Sequence, residues 1–254
     1  MKQIKILTVT HKSYDFPQDE IYQPIQVGRV LSTVDLGILS DNEGINISGK
    51  NKNFCELTAI YWAWKNHFFA DCDYVGLTHY RRFFKGSGCQ LKGKAILSAS
   101  EIFTLMQNYD AIVPRHRNYW IESIYSHYRH AHYISDLDRA RDIIKEYFPD
   151  YIPAFNRVMQ GKTLYLYNMF VLKKTDFDAY CDWLFRILFE LEKRLDLQDY
   201  DAYQQRVFGF IAERLFNVWL VYRQLKICEV SVVNLEGEHL FKKAINLLKR
   251  KFLR

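Results

Sequence analysis

The sequence predicts an α/β domain built on a mixed, mostly parallel central sheet flanked by helices. Three observations lead there. A β-branched run, IKILTVT, stands near the N-terminus; further short apolar runs alternate with amphipathic stretches of helical period; and 254 residues at 49% hydrophobic content supply one large core.

Taken in order, IKILTVT is continuous enough to be a strand covered on both faces, and HKSYDFPQDE breaks it. Residues 22–31 read as weakly helical, and residues 36–53, rich in Gly, Asn, Ser and Asp, read as a long loop. NFCELTAIYWAWKNHF follows as one amphipathic helix, with Leu57, Ile60, Tyr61 and Trp64 at i, i+3, i+4 and i+7. DYVGLTHY is the next strand, KGSGCQLKGK a loop, Glu101 to Gln107 a short helix, and DAIVP a third strand ended by its proline. DLDRARDIIKEYFPDY has the acidic first turn of a capped helix. LYLYNMFVLKK is a strand, a long helix follows with Thr175 as its expected N-cap, and another helix leads to a last strand, ICEVSVVNL. The domain is expected to span residues 1–236. In residues 237–254 Phe241, Ile245, Leu248 and Phe252 align against Lys242, Lys243, Lys249, Arg250 and Arg254, the pattern of a basic amphipathic helix that binds an anionic membrane surface.

Composition narrows the function. No stretch of eighteen or more apolar residues and no secretory leader pattern is present, so the expected location is cytoplasmic, peripheral on the inner face of the cell membrane. The five cysteines are unpaired in pattern and show no CxxC, which speaks against a disulfide framework or a structural zinc site. The net charge of +6 fits nucleic acid, an anionic membrane or a phosphate-bearing ligand. Because the basic residues cluster at strand exits and in the tail, with no nucleic-acid-binding signature, nucleic acid is not an expected partner.

Ligands of open α/β sheets bind outside the carboxyl ends of the strands. The first strand exits into Thr10, His11 and Lys12, the second into His79, Tyr80, Arg81 and Arg82, and the third into Arg115, His116 and Arg117. Any one such arginine is ordinarily a solvated surface residue. Recurrence at three exits points to a diphosphate, whose oxygens arginine binds bidentately. Asn46, Lys50, Asn53 and Glu56 stand before or within the first turns of the first helix, where Asn53 is the expected cap and free N–H groups face the same edge. Tyr119, His127 and Asn168 complete the expected substrate-binding set. His127, His130 and His132 do not have zinc spacing, so no metal site is expected there.

In order and spacing, HKSYDFPQDEIYQPIQVG, NISGKNKNFCELTAIYWAWKN, DYVGLTHYRRFF, RNYWIESIYSHY, YNMFVLKKTDFDAYCDWLF and QRVFGFIAERL together resemble a family of small bacterial glycosyltransferases encoded with capsule, exopolysaccharide and O-antigen genes. That family, long catalogued as a domain of unknown function, includes β-galactofuranosyltransferases, and the resemblance covers about nine-tenths of the chain. It implies a GT-A-like fold and transfer, with inversion, from a UDP-sugar donor; the expected activity is transfer of a hexose to a lipid-linked oligosaccharide acceptor.

The usual GT-A DxD metal motif is not matched. Asp71/Asp73 precede their strand and Asp136/Asp138, Asp176/Asp178 and Asp199/Asp201 fall at helix starts, while THYRR stands where DxD is expected. His79, Arg81 and Arg82 are therefore expected to offset the leaving-group charge with no metal cofactor. An inverting transfer needs a carboxylate base; Asp201 is the first choice, beside Glu122 and Glu213. A non-catalytic nucleotide- or carbohydrate-binding protein is the alternative, separated from an enzyme by whether such a carboxylate matters.

Overall fold

The computed structural model describes residues 3–236, so the expected basic tail helix, 237–254, lies outside the described residues. In chain order the elements are β1 (Ile4–Thr10), β2 (Tyr22–Gln26), β3 (Leu39–Ser40), α1 (Asn51–Phe54), α2 (Leu57–Lys65), β4 (Tyr74–His79), β5 (Arg82–Leu91), β6 (Lys94–Ile96), α3 (Ala99–Met106) and β7 (Ala111–Pro114). There follow β8 (Arg117–Asn118), α4 (Ile124–Ala131), α5 (Ile134–Tyr147), α6 (Ile152–Gln160), β9 (Thr163–Leu164), β10 (Phe170–Lys173), α7 (Lys174–Arg194), α8 (Val207–Arg223), β11 (Ile227–Val230) and β12 (Val232–Asn234).

The main sheet runs β11-β7-β10-β4-β1-β2-β3, with β5, β6 and β12 attached beside β4. Along that path β10 alone is antiparallel to its neighbours; the other pairings are parallel. This is the mixed, mostly parallel, helix-flanked sheet the sequence predicts. Strand alternation divides the core. Leu7, Val9, Val75, Leu77, Phe170 and Leu172 pack with the helices on one face, and Ile4, Ile6, Tyr74, Ile112 and Val171 pack with α3 and the β5–β6 hairpin on the other. Burial on both faces is what makes these strands read as unbroken apolar runs.

Several boundaries differ from the sequence reading. Residues 22–26 form a strand rather than a weak helix, because Tyr22 to Gln26 pairs in register with Ile6 to Thr10. The expected single helix breaks at Cys55, whose φ of 52° ends α1, and Asn53 therefore lies inside α1 and does not cap α2. KGSGCQLKGK is hairpin, not loop: Lys92 and Gly93, both at positive φ, turn β5 into β6. Thr175 is not the N-cap of α7, which begins at Lys174 directly from β10. Among the described residues no helix is long and apolar enough to cross a membrane.

Gly76 in the middle of β4 is set by close approach: a Cβ there would lie 2.8 Å from the Phe170 carbonyl oxygen and 3.1 Å from Ile6 Cγ1. Since β10 cannot retreat without losing its ladder to β4, Gly76→Ala is expected to destabilise the domain by about 1–3 kcal/mol. An unchanged urea midpoint would contradict this packing account.

Candidate functional site

All the strands of the main path except β10 leave the sheet at one edge, and β10 enters it there. Its entry is strained: Tyr167 and Asn168 have φ of 75° and 52°, in the left-handed region that non-glycine residues rarely occupy. The twist presents both main-chain polar groups of Tyr167. Its carbonyl accepts a hydrogen bond of 2.7 Å from His79 Nε2 at the end of β4, and its N–H donates to Glu213 on α8. A carbonyl only accepts, so Nε2 carries the hydrogen and Nδ1 has the lone pair. Burial, foremost, lowers the His79 pKa, with Arg82 and Arg81 acting in the same direction and Glu56 against it. The ring is thus neutral at neutral pH.

Around this centre stand two carboxylates. Glu56, just ahead of α2, accepts from Asn168 Nδ2 at 2.7 Å, which leaves its other oxygen uncommitted among the described residues. Glu213 has both oxygens engaged, one by the Tyr167 amide and one by Arg214 Nη1 at 3.0 Å, and its pKa is raised chiefly by burial. Arg206 closes this side, with Nε 3.3 Å from Cys55 Sγ.

Toward β1 the site is cationic. Lys12 Nζ and Arg81 Nη1 lie 3.1 and 3.2 Å from the two oxygens of Glu236, and both cations sit over the Tyr80 ring, which His11 meets edge-on. Those two hydrogen bonds, Lys12 first, lower the Glu236 pKa. Thr10 is buried and shapes the turn by bonding the Lys12 main chain in both directions. Arg82 stacks over the Tyr167 ring at 4.5 Å, joining the cationic side to the centre. Toward β7, Tyr119 packs on His127 with ring centroids 4.2 Å apart, and burial followed by the nearby Arg214 charge lowers the His127 pKa to about 4. Arg115 and Arg117 are exposed beyond them, and Glu122 is bound to His130 at 2.8 Å.

The structure thus brings His79, Tyr80, Arg81, Arg82, Thr10, His11, Glu56, Asn168, Glu213, Tyr119 and His127 to one edge, and it gives other expected site residues partners outside that set. The carboxylate of Asp201 accepts from the main-chain N–H groups of Tyr203 and Gln204, capping the turn before α8. Asn46 bonds only within its own loop, Lys50 pairs with Glu192 at 2.6 Å, and Asn53 donates to the Gln205 carbonyl. Asp136 bonds Tyr200 and Asp176 pairs with Arg223, so these DxD aspartates serve helix packing. Among the described residues no group of three or more His, Cys, Asp or Glu is gathered to hold a metal.

Sequence reasoning missed Tyr167, Arg206, Arg214, Glu236 and the buried Asp41. Asp41 accepts from the Gly28 and Arg29 amides and from the Ser48 and Thr58 hydroxyls, fastening the loops after β2 and β3 to α2. One signal was available: an adjacent Glu213-Arg214 pair inside the otherwise apolar helix VFGFIAERLFNVWLVYR.

The sequence profile of the family described as a domain of unknown function, DUF4422, matches residues 5–224. The chain belongs to this family. The DUF4422 domain is similar to the apo structure of the WbbM bifunctional glycosyltransferase, at 32% identity and a TM-score of 0.85 over 93% of this chain. It spans about half of that protein, 46% of its chain. A mannosyltransferase, Ktr4p from S. cerevisiae, aligns at 11% identity and a TM-score of 0.33 over 83% of this chain and 61% of its own, which is too distant to support inference. Comparison with curated proteins gives no match.

His127 makes stability depend on pH. Unfolded, it binds a proton below about 6.5; folded, it does so only near 4, so the unfolded state holds the extra proton between those values and stability falls as pH drops through that window. His127→Gln is expected to flatten the decline of the urea midpoint between pH 6.5 and 5 relative to the parent. Equal slopes would show that the ring is not buried as described.

Proposed function

We propose that this DUF4422 domain is a glycosyltransferase that uses a UDP-sugar donor, binding the diphosphate at the cationic edge and transferring a hexose with inversion to a lipid-linked saccharide of capsule, exopolysaccharide or O-antigen synthesis. The observation that carries the reading is that Lys12, Arg81 and Arg82 stand at the same sheet edge as His79 and the carboxylates Glu56 and Glu213, in a chain similar along nearly its whole length to the structure of a bifunctional glycosyltransferase. Galactofuranose is the proposed sugar, on the family resemblance alone.

In this reading Glu56 is the general base. Asn168 fixes one of its oxygens and leaves the other to take the acceptor hydroxyl proton while the hydroxyl oxygen attacks the anomeric carbon and the bond from that carbon to the diphosphate oxygen breaks. Glu213 braces the centre instead, since both its oxygens hold the protein together. Arg81, Arg82 and Lys12 stabilise the charge that develops on the departing diphosphate. Those cations supply that role without a metal, while Tyr119, His127 and Arg117 lie on the side left for the acceptor.

Glu56→Gln is expected to lower kcat by roughly 10²- to 10⁴-fold, while UDP at about 100 times its Kd still stabilises the variant by about 2.7 kcal/mol. A fully active Glu56→Gln enzyme would remove it as the base, and loss of activity in every carboxylate-to-amide variant with no UDP effect on melting would instead point to misfolding. Transfer should persist in EDTA; activity lost to EDTA and restored by manganese would defeat the cation-only account of the leaving group.

A further inference from the structure

Most of the exposed large apolar side chains among the described residues lie on segments that follow strands: Val30, Leu31 and Val34 follow β2, Ile45 follows β3, and Trp120 and Ile121 follow β8. Trp120 and Ile121 are 76% and 73% exposed. They are held out rather than left loose. Trp120 takes a φ of 54°, its N–H is bound by Asn118 Oδ1 at 2.8 Å, and its carbonyl accepts from Lys162 Nζ at 3.1 Å. The Ile121 amide closes a tight turn onto the Tyr119 carbonyl, and the Tyr119 amide is bound in turn by the Lys162 carbonyl. A turn so fixed keeps two of the most hydrophobic side chains in water, an unfavourable arrangement unless something covers them.

The charge around the turn says what does. Arg115, Arg117 and Lys162 are exposed and form no ion pair among the described residues, and Glu122, the carboxylate beside the turn, is already bound to His130. A tryptophan and an aliphatic residue ringed by uncompensated cations suit the headgroup layer of an anionic bilayer, where the indole sits at the interface and the cations meet lipid phosphates. We infer that the Trp120–Ile121 turn inserts into an anionic phospholipid surface and sets the proposed acceptor side of the site against the membrane. The transferase reading gives this orientation its use, but the insertion stands on the turn itself.

The test uses the full chain and vesicles of phosphatidylglycerol and phosphatidylcholine, with and without brominated acyl chains. Trp62, Trp183 and Trp219 are buried and Trp64 is half-buried, which makes Trp120 the tryptophan best placed to report contact with lipid. Brominated vesicles should quench the fluorescence of the parent protein, and Trp120→Phe should abolish that quenching while still binding. Trp120→Ser/Ile121→Ser should lower the vesicle partition coefficient at least tenfold, and neutral vesicles should bind the parent weakly. Equal quenching of the parent and Trp120→Phe, or equal partition of the parent and the double variant, overturns the inference, as does absence of vesicle binding. If the double variant instead loses transfer to a water-soluble acceptor with its partition unchanged, Trp120 faces a sugar and the membrane assignment fails. Retained transfer to that soluble acceptor keeps the enzyme reading intact whatever the vesicles show.

Discussion

One residue's main chain, that of Tyr167, joins a histidine at the end of β4 to a glutamate on α8, and the arrangement of the site depends on it. Both main-chain polar groups of Tyr167 are at least partly withdrawn from water, where leaving either without a partner is expensive. The chain meets the demand only by turning left-handed at Tyr167 and Asn168 before β10 begins. That turn also aims Asn168 at Glu56, so one strained step orients a neutral histidine and two carboxylates together. It is possible because β10 runs against its neighbours: a strand that arrives at the carboxyl edge can deliver its amide and carbonyl to groups that the departing strands display.

Charge compensation is the second constraint. Three cations around the centre have a carboxylate that tempers them: Arg214 has Glu213, and Lys12 and Arg81 share Glu236. The last pair is solvent-exposed, where an ion pair adds little to stability. Its value is positional, because it holds two cations near one point over the face of Tyr80.

What the sequence discloses follows from which physical signals are local. Strands buried on both faces announce themselves as apolar runs, and the helices α5, α7 and α8 as periodic ones, so the sheet and its flanking layers were legible. The residues at the exits of β1 and β4 were legible too, because the carboxyl edge of a parallel sheet is fixed by chain direction. Long-range choices were not. Tyr22 to Gln26 is a strand only because β1 offers it a partner, and KGSGCQLKGK is a hairpin only because Ile96 packs behind it. Asp201 carries the composition of a catalytic aspartate but uses one oxygen to cap a local turn, whereas Glu56, directly after the helix break at Cys55, gains its place from a contact 112 residues away. No spacing rule encodes that.

Glu236 closes the described chain with its carboxylate between Lys12 and Arg81. An anion arriving at those cations must therefore exchange with a built-in one, and the occupancy of that position is a competition between a tethered acid and a free ligand.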